Sequence, residues 1–275
     1  MPPGRPTHGR LGGVPTDHTV TRLSTTPVKG LSLHHPDAIR LTARGVVGDR
    51  QFLLIDDNGK LQSCTRNQAL YGLTAHWQQQ SRRLSIRRGA DELLTGVIEP
   101  GSAADTDMWG LRTLPADEVA DPIWHTFFSD LIGRPVRLLQ AREPAVDVQP
   151  ATLLGTGSVQ ELARQAGLAS IDPGRFRMLI EFSGGVPHVE DSWNGLRLQI
   201  GDAVLRAGGG VKRCAATTRN VDSGEVDLQT LRVITGYRGR QDSVLGPGAL
   251  FGIYAAVLQP GTISVGDELI VDADG

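Results

Sequence analysis

The side chain best placed for chemistry in this sequence is a thiol. Cys214 closes the run Gly208-Gly209-Gly210-Val211-Lys212-Arg213-Cys214. Two cations directly ahead of a cysteine lower its pKa and favour the thiolate, the form that attacks an electrophile or binds a metal. Three glycines just upstream allow backbone to approach a ligand closely. The competing reading is the ordinary fate of a lone cysteine, that of a small buried hydrophobe. Cys64, with only Arg66 nearby and polar neighbours in alternation, reads as core filler in a strand.

Other sites are disfavoured by their spacing. Gly208 to Gly210 is not followed by the Gly-Lys-Ser/Thr of a phosphate-binding loop, and no G-x-G-x-x-G opens a helix after a strand. His188-Val189-Glu190-Asp191 lacks a second histidine at ligand spacing and reads as a polar turn ahead of Trp193. No serine occupies a G-x-S-x-G elbow. Lys29, Arg66 and Arg177 are single cations in or beside expected strands; each taken alone is a solvated surface charge.

The elements that must position Cys214 are mostly strands. The 275 residues include 34 Gly and 16 Pro but only 5% aromatic side chains, a mix suited to short strands and tight turns. Strands are expected over Val20–Leu23, Ala38–Leu41, Gln51–Ile55, Lys60–Thr65, Leu84–Ile86, Pro135–Leu139, Phe176–Phe182, Leu196–Ile200, Ala203–Arg206, Leu250–Leu258 and Glu268–Val271. Asp56-Asp57-Asn58-Gly59 is a hairpin turn by its Asn-Gly pair. Glu99 to Asp107 reads as a loop between lobes. Helices are expected over Asp117–Ile132, with Pro122 in its first turn, and over Leu228–Ile234. A third runs from Val159 to Ala166 behind a Ser158/Glu161 capping box.

Charge and hydropathy exclude several classes. Twenty-eight Lys and Arg against 30 Asp and Glu leave a net charge of −2, without the basic excess that phosphate-backbone binding uses, so no nucleic-acid partner is expected. Apolar runs fall far short of the ~20 residues of a membrane helix. Residues 1–18 have no signal-peptide core and read as a disordered arm, and the chain is expected to be cytoplasmic. Two cysteines cannot ligate an iron–sulfur cluster within one chain.

An ordered series of motifs resembles the MOSC family, named for the C-terminal domain of molybdenum cofactor sulfurase. Its opening is carried by Thr26-Pro27-Val28-Lys29-Gly30, Gly45-Val46-Val47-Gly48-Asp49-Arg50-Gln51-Phe52 and Cys64-Thr65-Arg66. The MOSC domain itself is carried by Glu190-Asp191-Ser192-Trp193, Ile200-Gly201-Asp202, Arg213 to Thr218, Phe251-Gly252 and Pro260 to Asp267. The match runs from about Thr19 to Val271, in the layout of the stand-alone, amidoxime-reducing members. The resemblance implies a β-rich α+β fold, a MOSC-type β-barrel with an N-terminal β lobe over 19–98 and the MOSC domain over 99–275. It implies a molybdenum–pterin cofactor between the lobes, with Cys214 as catalytic metal ligand and Lys29, Arg66, Arg177, Lys212 and Arg213 holding the cofactor. The activity implied is reduction of N-hydroxylated or N-oxide small molecules, with electrons from a separate donor protein of ferredoxin or cytochrome type.

Several positions depart from the family pattern: Gly30 stands for serine, Met178-Leu179 for Pro-Asn, and Val211-Lys212 for Ser preceded by Cys. Two other readings stand beside this one, the first of them motivated by those departures. One is a molybdenum-free cyclase or isomerase of small-molecule biosynthesis on the same scaffold; the other is a sulfur carrier with a persulfide on Cys214.

Overall fold

Phe52–Ile55, an uninterrupted apolar run, is at most 2% exposed at every position. A strand buried on both faces needs cover on both, and in this computed structural model, which describes residues 18–272, it has it. It pairs with Leu61–Gln62 on one side and Arg137–Ala141 on the other, in a five-stranded sheet completed by Ala116–Val119 and Pro100–Ala103. The Asn-Gly turn forms as expected. Gly59 has φ +72°, and Asp56 Oδ1 accepts from the amides of Asn58 and Lys60 at 3.0 and 2.9 Å.

A second, seven-stranded sheet holds the C-terminal half. Its order is Val20–Leu23, Ile180–Phe182, Ala151–Gly155, Leu250–Gln259, Ala203–Lys212, Arg197–Ile200, Leu269–Asp272. Only Ala151–Gly155 and Ile180–Phe182 run parallel. A three-stranded sheet joins Gly261–Ser264 to Ala38–Thr42 and Gly45–Val46, so the first strands of the chain pair with its last third. Leu73–Gln78, Arg83–Arg88 and Asp91–Val97 form a meander over the N-terminal core. The fold is thus the β-rich α+β one implied by the sequence, with three short α-helices among the described residues, Ile123–Ile132, Thr156–Gln165 and Thr230–Arg238. Among the described residues no helix is long and apolar enough to cross a membrane. Of the arm expected over 1–18, residues 1–17 lie outside the described residues; His18 Nδ1 hydrogen-bonds the Ser183 carbonyl at 2.7 Å.

Several boundaries differ from expectation, each for a local reason. The helix expected over Asp117–Ile132 begins only at Ile123. Proline disfavours helical backbone at the residue before it, and Ala116–Val119 pairs instead with Arg137–Ala141. The stretch 99–107 is not a loop: Pro100–Ala103 edges the five-stranded sheet, and Thr106–Met108 pairs with Arg112–Leu114 as a hairpin. The return strand after the Asn-Gly turn stops at Gln62. Ser63 then accepts from the amides of Arg66 and Asn67, which puts Cys64 and Thr65 on a turn. Phe176 ends a 3-10 turn, Pro173–Phe176, before the strand Ile180–Phe182, and the last helix is shifted to Thr230–Arg238.

The capping box does not form either. Ser158 lies inside the helix and is fully buried, and its hydroxyl donates to the carboxylate of Glu190 at 2.8 and 3.0 Å. Glu190 is itself fully buried, and burial pushes its pKa up. A buried carboxylate needs its hydrogen-bond donors more than an exposed helix end needs a cap.

Gly252 sits mid-strand at φ +71°, and a Cβ there would lie 2.6 Å from Met178 Cε and 2.7 Å from the Leu153 carbonyl oxygen. Gly252→Ala is expected to cost about 2–4 kcal/mol from backbone strain and overpacking. At Gly209 nothing lies within 4 Å of an added Cβ, so Gly209→Ala is expected to stay within about 0.5 kcal/mol of wild type. Denaturant unfolding of the two variants checks both.

Candidate functional site

Cys214 reaches the surface because the strand before it ends at a bulged ladder. Ala203–Lys212 pairs antiparallel with Leu250–Gln259, but its register shifts between Ala207 and Gly210 and again before Lys212. Bulges bend a strand and re-aim the residues that follow. The Arg213 amide still bonds the Ala249 carbonyl at 2.8 Å, and the chain then leaves the sheet into the 3-10 turn Ala215–Thr218. The Cys214 thiol is exposed, with Thr65 Oγ1 3.8 Å from its sulfur.

The thiol stands on the wall of a cavity of about 340 Å³ between the two main sheets. Six cationic side chains line it, Lys29, Arg50, Arg175, Arg177, Lys212 and Arg213, against one carboxylate, Asp147. Of the residues expected from the sequence, Cys214, Lys29, Arg177, Lys212 and Arg213 are brought together. Arg66 is not among them: it is exposed, and the cavity wall at that turn is made by Ser63, Cys64 and Thr65. Cys64 is 4% exposed within the N-terminal core, as expected, and also touches the cavity.

The cations are held chiefly by backbone carbonyls. Lys29, 7% exposed, donates to the Ala145 carbonyl at 2.7 Å and pairs with Asp147 Oδ1 at 2.8 Å. Burial lowers the Lys29 pKa, and Asp147 opposes that shift. Arg177, in the left-handed region at φ +53°, donates to the Leu31 carbonyl at 2.7 Å. Lys212 donates to Leu245 O at 2.7 Å. Arg213 donates to the carbonyls of Phe251 and Phe176 at 2.9 and 2.8 Å and to Met178 Sδ at 2.8 Å. Its burial brings the guanidinium pKa down to about 10, still charged at neutral pH. The two cations that precede Cys214 in sequence therefore spend these hydrogen bonds on backbone and on Met178, and not on the thiol.

Two cavity cations went unassigned in the sequence. Arg50 pairs with the adjacent Asp49 and reaches the Arg177 carbonyl at 3.3 Å. The signal for it was present, since Asp49-Arg50 is part of a recognised motif. Arg175, 9% exposed, binds Asp227 at 2.8 and 3.0 Å, and its Nε has no partner. Gln149 Oε1, on the same cavity, is likewise buried without a partner. Orphaned buried polar atoms are costly and mark where a polar group belongs. A smaller cavity of about 170 Å³ shares Gly30, Cys64, Arg175, Arg177 and Ala216 with the larger one.

The departures from the family pattern have local reasons. Gly30 has φ +98°, and a Cβ there would stand 3.0 Å from Ser63 Cα. Leu179 is 3% exposed and Met178 1%, so the floor is more apolar than an Asn at that place would make it. Among the described residues no three His, Cys, Asp or Glu side chains gather as a metal cluster.

Two family models match the chain. The model of the MOSC domain matches residues 145–270, and that of the MOSC N-terminal beta barrel domain matches 17–135. Mitochondrial amidoxime-reducing component 1 of Mus musculus is 33% identical over 280 residues, covering 91% of this chain and 81% of that one. Mitochondrial amidoxime reducing component 2 of Bos taurus is 25% identical, covering 91% and 82%. Molybdenum cofactor sulfurase of Oryza sativa subsp. japonica is 25% identical over 258 residues, and the chain spans only 31% of that protein's length. The YuaD protein structure from Bacillus subtilis overlays with a TM-score of 0.43 at 13% identity, covering 92% of this chain and 94% of that one.

Asp147 supplies a pH test. Burial opposes its ionisation, but Lys29, the Trp109 indole N–H and Arg50 together hold its carboxyl down at about 2. A carboxylate with a lowered native pKa stabilises the fold above its unfolded pKa, and that contribution fades as pH falls toward the native value. The stability difference between wild type and Asp147→Asn is expected to be constant above about pH 4 and to shrink from there to about pH 2. Because half of the Asp147 side chain faces solvent, added salt should reduce the difference. Urea titrations across that range measure it.

Proposed function

We propose a function from one premise: the chain belongs to the MOSC family, N-terminal β-barrel domain included. The protein is a molybdenum-cofactor-dependent oxidoreductase that reduces N-hydroxylated or N-oxide small molecules, using electrons from a separate donor protein of ferredoxin or cytochrome type. The observation that carries this reading is the exposed Cys214 thiol on the wall of a cavity with six cationic side chains and one carboxylate.

The residues present fit such a group. An anionic pterin phosphate is favoured by cations without a carboxylate partner, which among the described residues are Arg177, Lys212 and Arg213 of the six, and the Arg175 Nε donor still lacks an acceptor. A soft thiolate suits molybdenum, and Cys214, the exposed one of the two cavity cysteines, would supply it. Lys29, Arg177 and Lys212 would hold the cofactor, with Arg50 and Arg175 behind them and Arg213 fixing the backbone around Cys214. When bound, the cofactor supplies a metal that changes oxidation state by two electrons. In the net reaction the substrate N–O bond breaks, and two electrons from the donor protein and two protons are taken up: with an N-oxide both protons go into the released water, and with an N-hydroxylated substrate one completes that water while the other goes to the nitrogen. Leu61, Val146, Pro150 and Leu179 are among the apolar residues of the lining. Arg66, outside the lining, would act only from the rim.

One observation favours a second reading. Gly30 and Leu179 take the places of polar family residues at the cavity, as expected of a scaffold reused by a molybdenum-free enzyme. Metal analysis of protein purified from a host that makes the cofactor separates the two. Wild type is expected to carry near-stoichiometric molybdenum, Cys214→Ala a small fraction of it, and Lys29→Ala with Arg177→Ala a reduced load. A wild type without molybdenum, matching Cys214→Ala, would overturn the reductase reading.

A further inference from the structure

The hairpin Thr106–Met108 and Arg112–Leu114 turns at Trp109-Gly110, and both residues have positive φ, +62° and +73°. The Leu111 amide bonds the Met108 carbonyl at 3.0 Å, and Asp107 Oδ2 accepts from the Gly110 amide at 2.8 Å, so the turn is tightly closed. Turns with two such residues ordinarily take Asn, Asp or Gly at the first of them, and a bulky side chain there is strained. The sequence nevertheless places its largest side chain at that position. Strain of this kind persists where the surroundings over-determine it and is found at ligand sites.

The surroundings do fix it. Met108 and Leu114, at the two ends of the hairpin, are fully buried with Leu53, Ile55 and Leu139. The Trp109 indole N–H donates to Asp147 Oδ1 at 2.8 Å, the same oxygen that pairs with Lys29. The residue is 47% exposed and lines the cavity, as do Leu61, Val146 and Pro150. Trp124 and Trp193 are core residues by contrast, 1% and 4% exposed. An aromatic ring with one edge pinned and much of its surface open to a cavity is a stacking platform, with little side-chain freedom left to lose on binding.

We propose that Trp109 is a stacking subsite at the main cavity, which takes the flat aromatic part of an incoming small molecule. The naming of that molecule as an aromatic N-oxide rests on the reductase reading; the stacking subsite itself does not. Trp109 acts as a specificity residue, selecting planar over compact substrates, and the Trp109–Asp147–Lys29 chain sets the position of the ring.

Isothermal titration calorimetry with quinoline N-oxide, which is flat, and trimethylamine N-oxide, which is compact, tests it. Trp109→Leu is expected to weaken quinoline N-oxide binding by about three- to tenfold, the size of a stacking contact. Trimethylamine N-oxide should change by less than about twofold on the same grounds, and Trp109→Phe should recover most of the loss for the flat ligand. Trp109→Gly, freed of the strained φ, is expected to melt no lower than wild type while binding quinoline N-oxide as weakly as Trp109→Leu. Unchanged quinoline N-oxide affinity in Trp109→Leu, parallel loss for both ligands, or no binding of the flat ligand by wild type would overturn the subsite. Molybdenum content of the same preparations keeps the two proposals apart. Flat-ligand selectivity that depends on Trp109 in protein unable to take molybdenum removes the reductase reading and leaves the subsite standing. Molybdenum-loaded protein indifferent to Trp109 does the reverse.

Discussion

The antiparallel pairing of Ala203–Lys212 with Leu250–Gln259 is the constraint on which the site depends. These are the two longest strands, and they lie side by side within the seven-stranded sheet. Their apolar faces supply Leu205, Ala207, Ile253 and Ala255 to the core of that sheet. Where the ladder slips, after Ala207, the chain carries Arg213 under Phe176 and Phe251 and brings Cys214 out at the cavity. Gly252 sits in the partner strand at a backbone angle that side chains avoid, with Met178 and the Leu153 carbonyl packed where its Cβ would be. Position of the thiol is therefore a property of sheet register and not of its own loop.

Electrostatics follows from how the cations are satisfied. A buried cation usually finds a carboxylate, since an unpaired buried charge is expensive. Lys29 follows that rule through Asp147 and also donates to the Ala145 carbonyl, whereas Arg177, Lys212 and Arg213 take the carbonyls of Leu31, Leu245, Phe251 and Phe176. Carbonyl dipoles satisfy the donors without cancelling the charge. The cavity thus keeps a positive field with Asp147 as its single acidic lining residue, and a cleft of one sign concentrates anionic ligands. Asp147 in turn ties together three parts distant in sequence: Lys29, the Trp109 hairpin and its own loop.

Much of this was legible in the chain, and the failures have a common cause. Phe52–Ile55 and the Asn58-Gly59 turn were readable because local chemistry decides them, an unbroken apolar run and a φ > 0 dipeptide, whereas Lys29 and Arg177 were singled out through the motif resemblance. The helix start at Pro122, the lost capping role of Ser158 and the strand hidden in 99–107 were decided by distant partners. Strand Arg137–Ala141 claimed Ala116–Val119, and Glu190 claimed the Ser158 hydroxyl. Arg50 stood in a recognised motif without a role, and nothing local announced Arg175 or Trp109. Arg66, expected at the cofactor, is exposed and is not among the residues that line the cavity, although Cys64 and Thr65 beside it are.

The central claim is that Cys214 is the protein's ligand to molybdenum. X-ray absorption at the molybdenum edge, on cofactor-loaded wild type and Cys214→Ser, tests it most directly. The account predicts that the variant loses one sulfur neighbour relative to wild type, with an oxygen neighbour or no ligand in its place. Identical sulfur coordination in the two proteins would contradict it.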